Sequence, residues 1–218
     1  YDDSHHQGQR SASAETPYET MSTAWTTATT AESGFPWIVP QNPTQFKDQY
    51  IRCSEQAGGP VPPRASVATT RLVSEMEGVD PTLLAVTWGS EASPPFSFDS
   101  VGHPRYKNGK AIGADVGPGQ IANNGPFTKS PWTDGLSNPF GTFTTQRVPF
   151  DGNPLDNLRL TARILNNDGG GRTAAGRYHS GTGPFSKTPE GIKAFNDRVK
   201  QYDRLQPSYS SFFRCMNQ

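Results

Sequence analysis

With 218 residues the chain is long enough for one domain plus an arm, and 20 basic against 20 acidic residues exclude a global field drawing it to nucleic acid or an anionic surface. Hydrophobic residues make up 32% and mean hydropathy is -0.69, which 20 prolines and 22 glycines explain better than charge does, so a loop-rich fold is expected. No apolar run approaches the roughly 20 residues of a membrane span, and no dense Lys/Arg cluster marks a polyanion site.

Residues 1–40 read as a Ser/Thr-rich arm without a sustained apolar period, followed by a domain over 41–218. Trp25, Phe35 and Trp37 leave a docked arm and a free one equally open. Cys53 and Cys215 favour one clasp between the chain ends, formed in an oxidising compartment, with two unrelated buried thiols as the alternative.

Pro60 to Pro63 form a rigid spacer. Ala65, Ala68, Leu72, Val73 and Met76 then recur at helical spacing until Gly78. Asp80 and Pro81 give an N-cap and a first-turn proline for a helix over Thr82 to Glu91, with Leu84, Trp88 and Glu91 on one face. Lys107-Asn108-Gly109-Lys110 reads as a hairpin tip, Gly113 to Gln120 as a glycine-rich loop, and the stretch to Phe150 as groove wall or lid. Asn153-Pro154 starts a helix with Leu155, Leu158, Ala162 and Leu165 on one face. A short helix is expected over Arg172 to Tyr178. Thr188-Pro189-Glu190 opens the last one, with Ile192, Phe195, Val199 and Tyr202 as its apolar stripe.

Glu91 closes an apolar helical stripe. Partial desolvation there disfavours the charged carboxylate, and a carboxyl kept protonated is what glycosidic cleavage asks of its general acid. On helix pattern alone a solvated end residue is the commoner reading. A base would have to come from Asp99, Asp115 or Asp134; Asp115 is preferred, against an ordinary Asx-turn role. Phe127, Trp132, Phe140 and Phe143 are candidates for stacking on sugar rings. No zinc spacing, nucleophile elbow or phosphate loop is present, so neither a metal nor another cofactor is expected.

Three stretches in order carry a resemblance: Gly78-Val79-Asp80-Pro81-Thr82-Leu83-Leu84-Ala85 with Glu91 six residues on, Gly113 to Ile121, and Asn153 to Leu165 followed by Ala174 to Gly181. Together they resemble the soluble lytic transglycosylases and goose-type lysozymes of the lysozyme-like superfamily, over about residues 65–205. The resemblance implies a mainly α (α+β lysozyme-like) fold, a helical bundle with a small loop or hairpin lobe flanking a saccharide groove. It also implies a catalytic domain over 41–218. Its function would be cleavage of a β-1,4-linked amino-sugar polymer, foremost peptidoglycan, by a secreted or extracytoplasmic monomer. Glu91 would be the acid/base, Gln120 and the Gly117 backbone a groove surface, and Tyr178 a partner near the glutamate. The chain departs from the pattern at Ala92, where the usual serine is displaced to Ser93, and at His179, which replaces an asparagine; both are carried as substrate-binding candidates. A non-catalytic glycan-binding module and a chitinase- or chitosanase-like hydrolase remain the alternatives.

Overall fold

The computed structural model describes residues 25–29, 36–40, 42–181 and 184–218. Strands β1 (Trp25–Thr29) and β2 (Pro36–Pro40) fall within the expected arm and form an antiparallel pair, Trp25 opposite Pro40. The rest of the 1–40 arm lies outside the described residues.

Helix α1 (Pro43–Ala57) was not expected from the sequence. Asn42 caps it by accepting from the Gln45 N–H at 3.0 Å, and Pro43 sits in the first turn. Phe46, Tyr50, Cys53 and Ala57 make a narrow stripe at i, i+4, i+7 and i+11 that packs on the main core. Only Cys53 is fully buried, so the signal is diluted by exposed polar residues on the remaining faces.

Helix α2 (Arg64–Glu77) ends where Gly78 turns left-handed at φ 66°, close to the expected boundary. Helix α3 (Pro81–Glu91) starts on the expected cap, Asp80 accepting from Thr82 N–H at 2.9 Å. The single-face reading of this helix needs correcting. Thr82 through Trp88 are buried on every side, because α3 runs through the centre of the bundle and touches α2 and three later helices. Those are α4 (Pro154–Asn167), α5 (Gly171–Ser180) and α6 (Pro189–Met216).

The last helix also departs from expectation, running 28 residues through Pro207. A proline inside a helix costs about 3 kcal/mol, but Tyr209, Phe212, Phe213 and Met216 beyond it are buried, at roughly 1.5–3 kcal/mol for each large apolar side chain. Burial wins. The far end of α6 is joined to α1 by a Cys53–Cys215 disulfide with a Cα–Cα distance of 5.5 Å, which decides between the two readings of the cysteines. No helix among the described residues is long and apolar enough to cross a membrane.

The second lobe is a three-stranded antiparallel sheet, β3 (His103–Lys107), β4 (Lys110–Val116) and β5 (Ile121–Ala122), in that order. The glycine-rich stretch from Gly113 is therefore strand as far as Val116, not loop; only residues 117–120 turn. Lys107 pairs with Lys110 across the Asn108-Gly109 tip, as its sequence predicts, and His103 with Asp115.

The long segment after β5 is held by ion pairs. Glu77 takes Arg159 Nε at 2.6 Å and Arg163 Nε at 2.9 Å, while Arg163 Nη1 donates to the carbonyls of Trp132 and Asp134. Asp156 accepts from Ser137 N–H and Oγ–H, both at 2.8 Å. Sequence spacing showed none of this, since the partners come from three separate elements.

Candidate active site

Glu91 is the last residue of α3, where Ala92 leaves the helix in an extended conformation. Beneath it Trp88 is fully buried between Phe96 and Phe98, with ring centroids 5.5 and 4.8 Å away, and its Nε1–H donates to the Ser97 carbonyl at 3.1 Å. Gly89 is required by this cluster, because a Cβ there would come within 2.6 Å of the Phe96 ring.

The surroundings of the Glu91 carboxyl are not purely apolar, as the stripe suggested. Arg198 Nη1 lies 2.8 Å from Oε1, and His179 Nδ1 lies 3.2 Å from the same oxygen. Arg198 Nη2 is in turn 3.2 Å from His179 Nδ1. Both contacts converge on Oε1, and among the described residues Oε2 takes no hydrogen bond. The Glu91 side chain is 14% exposed and that of Arg198 is 6% exposed, so the pair is largely shielded from water, whereas His179 is 40% exposed.

Arg198 was missed by sequence reasoning, though a signal existed. It stands between Phe195 and Tyr202 at i+3 and i−4, inside the apolar stripe of α6, and a cation on a buried face needs a counter-charge.

Strand β4 presents Asp115. Burial pushes its carboxyl above the usual range; the nearby Arg105 and His103 oppose that shift, and the Glu91 carboxylate adds to it. Arg105 Nε is 3.7 Å from Asp115 Oδ1. The Glu91 charge is thus near enough to act on Asp115. The other aspartates have local partners: Asp99 accepts from Ser97 Oγ–H and Asp134 from Ser130 Oγ–H.

The remaining predicted residues are gathered around these two, mostly in supporting positions. Gly117 (φ 73°) is buried against α4, where a Cβ would meet the Asn157 side chain at 2.5 Å, and its carbonyl accepts from Gln120 N–H and Nε2–H. It therefore faces the helix and not an open groove. Gln120, itself left-handed at φ 49°, also accepts from His103 Nδ1–H at 2.6 Å and donates from Nε2 to Ser100 Oγ at 3.0 Å, so its amide braces the sheet lobe. Tyr178 donates to the Gly119 carbonyl at 2.7 Å and meets Thr161 Oγ1 at 3.2 Å. Burial raises its phenol, with Glu91 and Asp115 contributing, and the hydroxyl stays a donor. Its link to Glu91 is through space. Ser93 donates its backbone N–H to the buried Ser100 Oγ at 2.8 Å, fixing the chain just past Glu91.

The expected aromatic platforms divide. Phe127 and Trp132 pack edge to face at 4.9 Å over Ile121, Leu160 and Ile164 as core. Phe140 and the 62% exposed Phe143 border a cavity of about 200 Å³ together with Val116, whose side chain points from β4 opposite to Asp115.

Sequence reasoning also missed Asn157 and Thr161 of α4. Asn157 accepts from Gly119 N–H at 2.8 Å and donates to the carbonyls of Val116 and Pro139, mooring the 117–120 turn on the bundle. Comparison with protein-family models, curated proteins and solved structures finds no match to the chain.

Proposed function

We propose that the chain is a glycan-cleaving enzyme with a lysozyme-like fold, acting on a β-1,4-linked amino-sugar polymer, foremost peptidoglycan, outside the cytoplasm. The observation that carries this reading is the Glu91 carboxyl, held 14% exposed at the end of the buried helix α3. One of its oxygens lies beside Arg198, and Asp115 on strand β4 is near enough for the Glu91 charge to raise its carboxyl. The disulfide and the absence of a spanning helix among the described residues are compatible with such a compartment.

In this reading Glu91 delivers a proton to the leaving glycosidic oxygen as the oxocarbenium-like transition state forms, and Arg198, 2.8 Å from Oε1, balances the carboxylate that remains. Asp115 takes a proton from the water that attacks the opposite face of the sugar, which makes the reaction an inverting hydrolysis. If the substrate's acetamido group attacked instead, Glu91 alone would suffice.

The test is to incubate the protein and Glu91→Gln with purified peptidoglycan, chitin oligomers and chitosan, and to identify products by mass spectrometry. Products from the native protein that vanish in the variant support the acid role; equal yields overturn it. Reducing ends mark hydrolysis and anhydro ends mark transglycosylation. One observation favours a non-catalytic glycan-binding module: a shielded guanidinium already occupies Glu91. That reading requires binding without products from any of the three polymers.

A further inference from the structure

The sheet lobe carries a charge pattern that the neutral total conceals. On β3, His103, Arg105 and Lys107 alternate on the side of Asp115, which pairs with His103, and the pairing with β4 shifts register between Arg105 and Tyr106. The contact of Arg105 with Asp115 at 3.7 Å confirms the shared face. Lys110 pairs directly with Lys107 and joins it. Two cations, Arg105 and Lys107, therefore stand about 7 Å apart on this face at strand rise, with Lys110 beside Lys107. Like charges placed directly across a strand pair are unfavourable, and among the described residues neither lysine has a salt-bridge partner. The hairpin gains nothing from this arrangement internally. Arg105, Lys107 and Lys110 are all exposed.

We propose that this hairpin face is a recognition track for a carboxylate-bearing glycan, such as peptidoglycan with its acidic substituents, and that it selects such chains over neutral chitin-like ones. The inference rests on the glycan reading above. It supplies the local basic surface that the even charge balance and the sparse Lys/Arg distribution do not reveal in sequence. Alternation on a strand collects on one face cations that are two residues apart in the chain, and the turn adds a third position opposite the second.

The test is co-sedimentation on ice of the full chain with purified peptidoglycan and with the same polymer after its carboxylates are amidated. At low salt the native protein should bind the acidic polymer about tenfold more tightly than the amidated one, and the difference should shrink at high ionic strength. Lys107→Gln/Lys110→Gln should bind the acidic polymer only as well as the amidated one, with an unchanged melting temperature. The proposal is overturned if the native protein does not distinguish the two polymers, or if the double variant binds the acidic one undiminished. Charge preference without any cleavage product would overturn the enzymatic reading and leave the track standing; cleavage without charge preference would do the reverse.

Discussion

Arg198 and Glu91 form an ion pair at 2.8 Å between the middle of α6 and the end of α3, with the guanidinium 6% and the carboxyl 14% exposed. Removing one partner leaves the other charge shielded and uncompensated, which costs about 3–5 kcal/mol for a buried pair. Arg198→Met should therefore lower the melting temperature markedly, while Arg198→Lys should recover much of the stability. If Glu91 is the acid, the lysine variant should lower kcat and leave KM nearly unchanged, because Arg198 touches the acid and not the sugar. Two variants as stable and active as the native protein would show the pair to be irrelevant.

Asp115 yields a prediction with opposite signs for stability and activity. Its folded-state carboxyl titrates above the unfolded value of about 3.9, so the folded form binds the extra proton and loses relative stability as pH rises through that window. Asp115→Asn removes this loss. Melting curves should show the variant gaining on the native protein at neutral pH and matching it well below pH 3.9. If Asp115 is the general base of the proposed reaction, its loss should cost about 10²–10⁴ in rate. A variant with full activity would return Asp115 to a structural role.

Gly119 tests the mooring of the turn. A Cβ there would collide with Thr161 Oγ1 and stand 3.0 Å from the Tyr178 hydroxyl. Gly119→Ala should destabilise by about 1–3 kcal/mol, as overpacking does. Combining it with Thr161→Ala should cost less than the sum of the two single changes, because the second removes the obstructing hydroxyl. Strict additivity in denaturant titrations would place the strain elsewhere.

The Cys53–Cys215 bond closes a loop with a sequence separation of 162. Replacing both cysteines by serine should cost about 2–5 kcal/mol, read as a shift of the denaturation midpoint. An unshifted midpoint would mean that the helix contacts alone hold α1 to α6.

What the sequence disclosed and what it hid divide along local and non-local lines. The starts of α3, α4 and α6 were legible because Asp80-Pro81, Asn153-Pro154 and Thr188-Pro189 cap within their own turns. Asn42-Pro43 offered the same signal for α1, but its stripe is one residue wide and mostly half-buried. The extension of α6 past Pro207 was hidden because tertiary burial, not propensity, sustains it. At the candidate site Glu91 and Asp115 could be named from residue type and position. Arg198, Asn157 and Thr161 could not be assigned roles, since each is defined by a partner on another element. Gly117 was legible as a special backbone position, but only the packing shows that Asn157 makes it so.

Timing follows from the Glu91 cluster. His179 comes 88 residues after Glu91 in the chain, and Arg198 later still. At about 5–20 residues per second of synthesis, the carboxyl exists for several seconds before either partner has been made. Until α6 docks, Glu91 sits at the end of an apolar helix whose neighbours are incomplete. The Glu91–His179–Arg198 cluster therefore closes late in folding, after most of the chain has left the ribosome.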